Sequence, residues 1–396
     1  MNPNIQNLYN IAGKESRLIV GLMSGTSLDG LDVALCRFWG NGKETKVELL
    51  HFETTAYSAG TKSKIKRLFA REQVDLNYLC LFNEWLGNLH ADIVLATLNK
   101  WGFSHREVDL IASHGQTIMH SPKSQHPEDE FSNGTLQIGD GDHIALKTGI
   151  ITLSDFRQKH VAAGGEGAPL AVYGDYLLFT DERESRILLN IGGISNFTYL
   201  PAGFTSRGIM VSDTGPGNTI MDAYMQRYMN APFDEAGNFA ASGTVIEPLL
   251  RVLMDDPFFR MPFPRSTGPE YFNLEYLEAA QQQSNTGEIR SADVMATLNK
   301  FTAMSISRAI QQAGIDQYSR IYISGGGWHN KLLVKTLQEL MPGYVLSDFS
   351  ELGIAGDAKE AVLFAALANE ALCGSPQDYP DGVLLPVSTG KISFPK

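Results

Sequence analysis

Three segments of this chain share one design, an apolar strand that empties into a turn of glycine and small hydroxyl residues: GLMSGTSLDG (21–30), LNIGGISN (189–196) and YISGGGWHN (322–330). Without side chains, such turns let the backbone approach a ligand closely and aim amide N–H groups at an anion. One glycine turn is ordinary chain reversal, whereas three at strand ends, spread over the chain, predict a nucleotide whose phosphates rest on backbone. The familiar nucleotide signatures are missing. Gly25 to Gly30 has the glycine spacing of a P-loop, yet Leu31 and Asp32 stand where Lys and Ser/Thr belong, and the segment leads into a strand instead of a helix. No dinucleotide fingerprint follows the first strand.

At 396 residues the chain exceeds the size at which one core stops growing, so two lobes with a cleft are expected. Residues 17–38 read as a β-hairpin, 58–101 carry helical spacing, and 108–117 form a short buried strand running into a polar turn. Residues 121–134 read as a surface excursion. A second set begins at 149–156, passes a Gly/Ala-rich loop at 162–170, and continues through a strand at 185–200 and DTGPGN (213–218), which opens a helix from Thr219 to Tyr228. Further helices are predicted at 242–256 and 290–314, then a strand from Arg320, a helix from Lys331 to Leu340 and a last apolar helix at 361–372. This alternation predicts an α/β protein of two similar lobes, 1–150 and 151–374, with residues from about 375 to 396 packing back onto the first.

Lys and Arg total 32 against 44 Asp and Glu, a net charge of −12 without a basic block, which argues against a nucleic-acid partner. No apolar run reaches the roughly 18 residues that span a bilayer, so no membrane role is expected. The polar first residues, MNPNIQNLYNIAGKESR, lack a secretory core and read as a loose extension. Cys36, Cys80 and Cys373, an odd set without CxxC spacing, read as buried thiols of a reducing cytoplasm. The histidines make no zinc pattern, and no GxSxG accompanies GEGAPL to suggest acyl transfer.

With phosphate turns at Gly21–Gly30 and Asn190–Asn196 and an adenosine turn at Ser324–Asn330, the chain resembles the sugar kinase, Hsp70 and actin superfamily. The ordered set GLMSGTSLDGLDVAL, SHGQT, LQIGDGDHIA, DFR with GGEGAPL, LNIGGISN, DTGPGN, STGPEYFN and SGGGWHN is similar to the 1,6-anhydro-N-acetylmuramic acid kinases, over roughly Arg17 to Leu385. The resemblance implies a two-lobed, ribonuclease H-like fold with ATP and sugar in the cleft. It implies Mg²⁺ as a cofactor and 1,6-anhydro-N-acetylmuramic acid as the acceptor, in peptidoglycan recycling. A homodimer is left open. The rival readings are an ordinary sugar hydroxyl kinase and a non-catalytic actin- or Hsp70-like nucleotide-binding protein. Two residues depart from the expected pattern. Met23 stands where much of the superfamily has an acid for the metal, so the metal is expected to be held either through Asp29 or mostly by phosphate and water, and Glu166 replaces the family's usual Gln.

The implied nucleotide contacts are Ser24, Gly25, Thr26, Ser27, Leu28, Asp29 and Gly30, then Asn190, Gly192 and Gly193, then Gly325, Gly326, Gly327 and Asn330. Ring opening by water needs a base, and Asp213, at the end of the apolar strand GIMVSD, is the candidate, matching the family's base in DTGPGN. A helix N-cap is the alternative role for it. Asp155 and Arg157 form a second candidate pair, read either as a salt bridge or as substrate ligands, with Arg157 suited to bidentate oxyanion binding. His114, Gln116 and Glu360 complete the substrate-side candidates.

Overall fold

The computed structural model describes residues 1–126, 130–168, 170–204, 208–375, 385 and 387–396. They divide into two units, Met1–Phe179 with Gly353–Lys396, and Thr180–Leu352.

In the first unit, β1 (Ser16–Ser24), β2 (Gly30–Trp39) and β3 (Lys46–Ala56) form an antiparallel meander. The next strand, β4 (Leu110–Ser121), pairs parallel to β1; β5 (Gly134–Ile138) pairs antiparallel to its far end, and β6 (Thr152–Ser154) runs parallel to it. Strands β1, β2 and β4 are apolar on both faces because helices cover both. Leu18, Val20, Leu22, Val33 and Leu35 meet Leu86, Val94 and Leu98 of the helix Leu76–Lys100. On the other face lies the helix Lys359–Cys373, so close that a Cβ on Gly21 would stand 1.9 Å from the Ala361 carbonyl oxygen.

The second unit repeats this plan. Strands β7 (Arg186–Ile191), β8 (Ile194–Leu200) and β9 (Met210–Pro216) form the meander, and β10 (Arg320–Ser324) and β11 (Val345–Asp348) extend it in parallel. The order β9-β8-β7-β10-β11 matches β3-β2-β1-β4-β6 in both sequence and direction. The helix Ser291–Gln312 packs under this sheet through Ala303, Ile306 and Ile310.

Several elements differ from the sequence expectations. The segment 185–200 is a hairpin, broken where Gly192 and Gly193 turn the chain, and not one strand. The helix after DTGPGN is α-helical over Thr219–Tyr224 and continues as a π-helical turn, Met225–Met229. Residues 242–246 are not helical, since the helix there is Glu247–Met254, and the helix Leu274–Ser284 went unpredicted. The N-terminal residues are not loose: Pro3–Ala12 is a helix capped by the Asn2 side chain, with Ile11 buried. The boundary also falls later than residue 150, because β6 joins the first sheet and the helix Ala171–Phe179 packs on Lys359–Cys373. There a Cβ on Gly174 would stand 2.5 Å from Leu363, and both helices therefore belong with the first sheet. Within the tail, Lys391–Ser393 pairs antiparallel with β6. Cys36 is buried and Cys373 partly so, but Cys80 is exposed on the outer face of its helix. Among the described residues, no helix is long and apolar enough to cross a membrane.

Candidate active site

In the first unit the β1–β2 turn is set from below by a buried polar chain. Gln116 gives its amide hydrogens to the Gly25 and Thr117 carbonyls, both at 3.2 Å, which fixes its oxygen as the acceptor from Ser24 Oγ at 2.6 Å. Ser24's single proton is thus committed, so the Tyr57 hydroxyl donates to Ser24 at 2.9 Å and accepts from His90 Nε2 at 2.8 Å. Burial lowers the His90 pKa to about 4 and keeps this imidazole neutral. Leu28 anchors the tip in the core, in a left-handed conformation at φ 59°. Gly30 packs against Thr55, whose carbonyl oxygen would lie 2.4 Å from a Cβ there. What the turn leaves outward is the Gly25 backbone, with only Ser27 Oγ near at 3.7 Å, and the exposed Thr26, Ser27 and Asp29. Ser24, Leu28, Gly30 and Gln116 therefore shape the turn from behind.

A bulge in β4 at His114–Gly115 re-aims the next group. His114 Nδ1 donates to the Gly115 carbonyl at 2.9 Å, and its Nε2 accepts from Arg157 Nε at 2.9 Å. Burial, reinforced by the Arg157 charge, lowers the His114 pKa to about 3, so it remains the neutral acceptor this bond requires. Both ring nitrogens are occupied, and the residue positions Arg157. Arg157 also donates through Nη1 to the Gly167 carbonyl at 2.7 Å, while Gly167 N–H donates to His160 Nδ1 at 2.9 Å, tethering the GGEGAPL loop. Pro169 of that loop lies outside the described residues, and Glu166 is exposed. Asp155 pairs with Lys391 and not with Arg157, so the expected Asp155–Arg157 bridge is absent. Glu360 stands on the first turn of its helix; desolvation by the surrounding protein raises its pKa, with Lys359 and Arg157 opposing the shift. Arg157 and Glu360 are thus brought into electrostatic reach of one another.

In the second unit, Asp213 lies opposite Asn196 beside a bulge that leaves Thr214 unpaired. Its Oδ2 accepts from Thr267 N–H at 2.8 Å and Ser266 Oγ at 3.2 Å, and its own N–H donates to the Arg265 carbonyl at 3.0 Å. Burial raises its pKa above the usual 3.8, against those two hydrogen bonds. The residue is half-buried, and no described residue hydrogen-bonds to Oδ1. It is no helix cap either, since Asn218 occupies that position. Residues 265–267, which hold this carboxylate, belong to the RSTGPEYFN stretch and were not singled out as site residues from sequence.

The end of DTGPGN is stitched to the β7–β8 turn. Gly217 N–H and Thr219 N–H donate to the Gly193 carbonyl at 2.8 and 3.1 Å, and Asn218 N–H to that of Gly192 at 2.8 Å. These bonds engage the turn's carbonyls from within the unit, leaving its amides for an anion. A Cβ on Gly192 or Gly193 would meet nothing nearer than 3.6 Å, and the same holds for Gly326. Gly325, at φ 82°, and Gly327 are different, because a Cβ there would strike Ile191 at 2.7 and 2.2 Å. Asn190 Oδ1 accepts from Ser324 Oγ at 3.4 Å and ties β7 to β10. Asn330 caps the helix Lys331–Leu340, its oxygen accepting from Leu333 N–H at 3.0 Å and Asn299 Nδ2 at 3.2 Å. It is buried and holds the helix instead of facing outward.

For a metal, the described residues contain no group of three Asp, Glu, His or Cys side chains that could enclose an ion. Asp29 is exposed, 3.8 Å from Lys62. The register puts Asp32 directly across from Met23, on the same sheet face. Asp32 accepts from Thr54 at 2.6 Å, and burial, with Asp357 and Asp29, raises its pKa. Isolated carboxylates of this kind fit Mg²⁺, which keeps most of its waters and takes its other oxygens from nucleotide phosphates.

Two sheets of identical order and direction, each with a glycine turn after its first strand, define the sugar kinase, Hsp70 and actin class of phosphotransferase fold. Residues 17–392 match the anhydro-N-acetylmuramic acid kinase family, and the chain belongs to that family. An anhydro-N-acetylmuramic acid kinase of Pseudoalteromonas atlantica is 54% identical over 400 residues, covering 100% of both chains. One of Pseudoalteromonas translucida is 53% identical over 399 residues, again covering 100% of both. One of Caldanaerobacter subterraneus is 40% identical and covers 98% of this chain and 99% of its own.

Proposed function

We propose that this protein uses ATP to open and phosphorylate 1,6-anhydro-N-acetylmuramic acid, and that Asp213 is the base. Water forms the new bond to the anomeric carbon as the C1–O6 bond breaks. O6 takes the γ-phosphoryl group, ADP leaves, and Asp213 removes the water's proton. The observation that carries this reading is the Asp213 carboxylate itself, braced through Oδ2 by Thr267 and Ser266 with Oδ1 left for a water. Its raised pKa brings it nearer to the strength a base needs at neutral pH.

Nucleotide phosphates are assigned to the outward amides at Gly25, Gly192 and Gly193, and the adenosine to the side of Gly326. Bound Mg²⁺ supplies charge neutralisation for the phosphates, and Asp29 and Asp32 are the residues assigned to hold it. Arg157, aligned by His114, is assigned to an oxyanion of the sugar, with Glu360 beside it in the same substrate-side group. The protein is assigned to the cytoplasm and to peptidoglycan recycling. Incubation with ATP and a panel of anhydro, free and reduced cell-wall sugars, followed by mass spectrometry, tests this. The expected product is N-acetylmuramic acid 6-phosphate from the anhydro sugar; phosphorylation of free sugars alone would point to the ordinary hydroxyl kinase.

A further inference from the structure

The helix that follows DTGPGN carries a carboxylate for which the reaction above has no use. Ile220, Met221, Tyr224 and Met225 point from this helix into the core. The opposite face carries Asn218, Thr219 and Asp222, which follow one another at helical spacing of three and four residues. Asn218 is fastened to the β7–β8 turn, its N–H on the Gly192 carbonyl and its side-chain amide on that of Ile191 at 3.2 Å. Its Nδ2 would also stand 3.7 Å from a Cβ on Gly326. Thr219 lies against Gly193, whose Cβ would be 3.8 Å from the threonine's own. This face therefore starts between the two outward glycine turns, and Asp222 is about one helical turn, roughly 5.4 Å, further along it.

Asp222 is half-buried, and no described residue donates a hydrogen bond to its carboxylate or pairs with it. Burial alone raises its pKa to about 6. A carboxylate that is partly desolvated and unsatisfied is unfavourable in the free protein, and it can only accept. The matching ligand group presents two neighbouring O–H donors. A cation is the poorer match, because no second and third acidic, histidine or cysteine side chain joins it among the described residues.

We propose that Asp222 receives the ribose hydroxyls of the bound nucleotide. The inference rests on placing the phosphates at Gly192–Gly193 and the adenosine beside Gly326. One helical turn from a phosphate-holding turn is the order of separation between a nucleotide's phosphates and its ribose diol. A carboxylate accepting from that diol is the same chemistry that acidic residues use on ribose in dinucleotide sites.

Titration calorimetry with ADP and 2′,3′-dideoxy-ADP tests it, on wild type, Asp222→Ala and the isosteric Asp222→Asn. The wild type is expected to prefer ADP by about tenfold or more, the scale for a hydrogen bond to a charged group. Asp222→Ala is expected to bind ADP as weakly as the wild type binds the dideoxy nucleotide and to lose the preference. Asp222→Asn, with one carbonyl acceptor left, is expected to fall between. Thermal melts without nucleotide establish that both variants are folded. Retention of the full preference in Asp222→Ala overturns the proposal, as does a wild type that binds both nucleotides equally. A wild type that binds neither overturns the nucleotide placement itself.

Discussion

The glycines of the three turns divide into two groups that a single class of substitution separates. A Cβ on Gly192 would meet only Asn190 Nδ2 at 3.6 Å and the Ile194 carbonyl at 3.7 Å, and Gly192 does not occupy the left-handed region. Gly192→Val is therefore expected to leave the fold intact while placing its side chain where a phosphate needs the backbone. Losing one amide bond to a charged phosphate is worth about 1.5–3 kcal/mol, so ADP affinity should fall by about 10- to 150-fold. Gly327→Ala inverts the pattern. Its Cβ would stand 2.2 Å from Ile191 Cγ2 and 2.5 Å from Ile191 Cβ, inside the packed end of β7. Overpacking of this kind costs about 1–3 kcal/mol. At about 2–4 °C per kcal/mol for a unit of 150–250 residues, the melting temperature should drop by about 2–12 °C. Calorimetric ADP binding and thermal melts read the two effects separately. Normal ADP affinity in a folded Gly192→Val protein would refute the assignment of phosphates to this turn, and an unshifted melt for Gly327→Ala would refute the packing account.

Asp213→Asn is expected to keep ADP binding and lower turnover by about 10²–10⁴, as steady-state assays will read. Because the Asp213 pKa is raised and the base must be ionised, wild-type turnover should fall on acidification with an inflection above 3.8, and the variant should lack that limb. His114→Leu removes the acceptor of Arg157 Nε. It is expected to raise the sugar KM by about tenfold or more with ADP affinity unchanged, and an unchanged sugar KM would remove His114 from the positioning of Arg157.

What could be read from sequence followed from how local each feature is. A glycine turn after an apolar strand announces itself within ten residues, and the turns at 25–30, 192–193 and 325–327 were legible for that reason. Which of their glycines faces outward was not, because Gly327 and Gly30 are constrained by Ile191 and Thr55, residues brought close only by the sheet. Asn330 was assigned to the nucleotide although Asn just before KLLVKTL is also a helix N-cap signal, and the cap is what the fold uses. Asp213 was picked out as a candidate base from its strand and motif. Its supports, Ser266 and Thr267, lie more than fifty residues away, and only the unexplained STGPEYFN stretch hinted at them. His114 and Gln116 were given to the sugar, since nothing in SHGQT reveals that Arg157 and Ser24 already occupy them. The later boundary between units was hidden for a similar reason, since an apolar helix does not say which sheet it covers.

Ring opening and phosphoryl transfer are proposed to be one coupled event, with water as the nucleophile at the anomeric carbon. Reaction of the anhydro sugar with ATP in heavy-oxygen water, with products fragmented in a mass spectrometer before the free anomeric centre exchanges, tests it most directly. The label is expected on the anomeric hydroxyl and none in the phosphate, with no ring opening when ATP is withheld. Label in the phosphate, an unlabelled anomeric oxygen, or ring opening without nucleotide would contradict it.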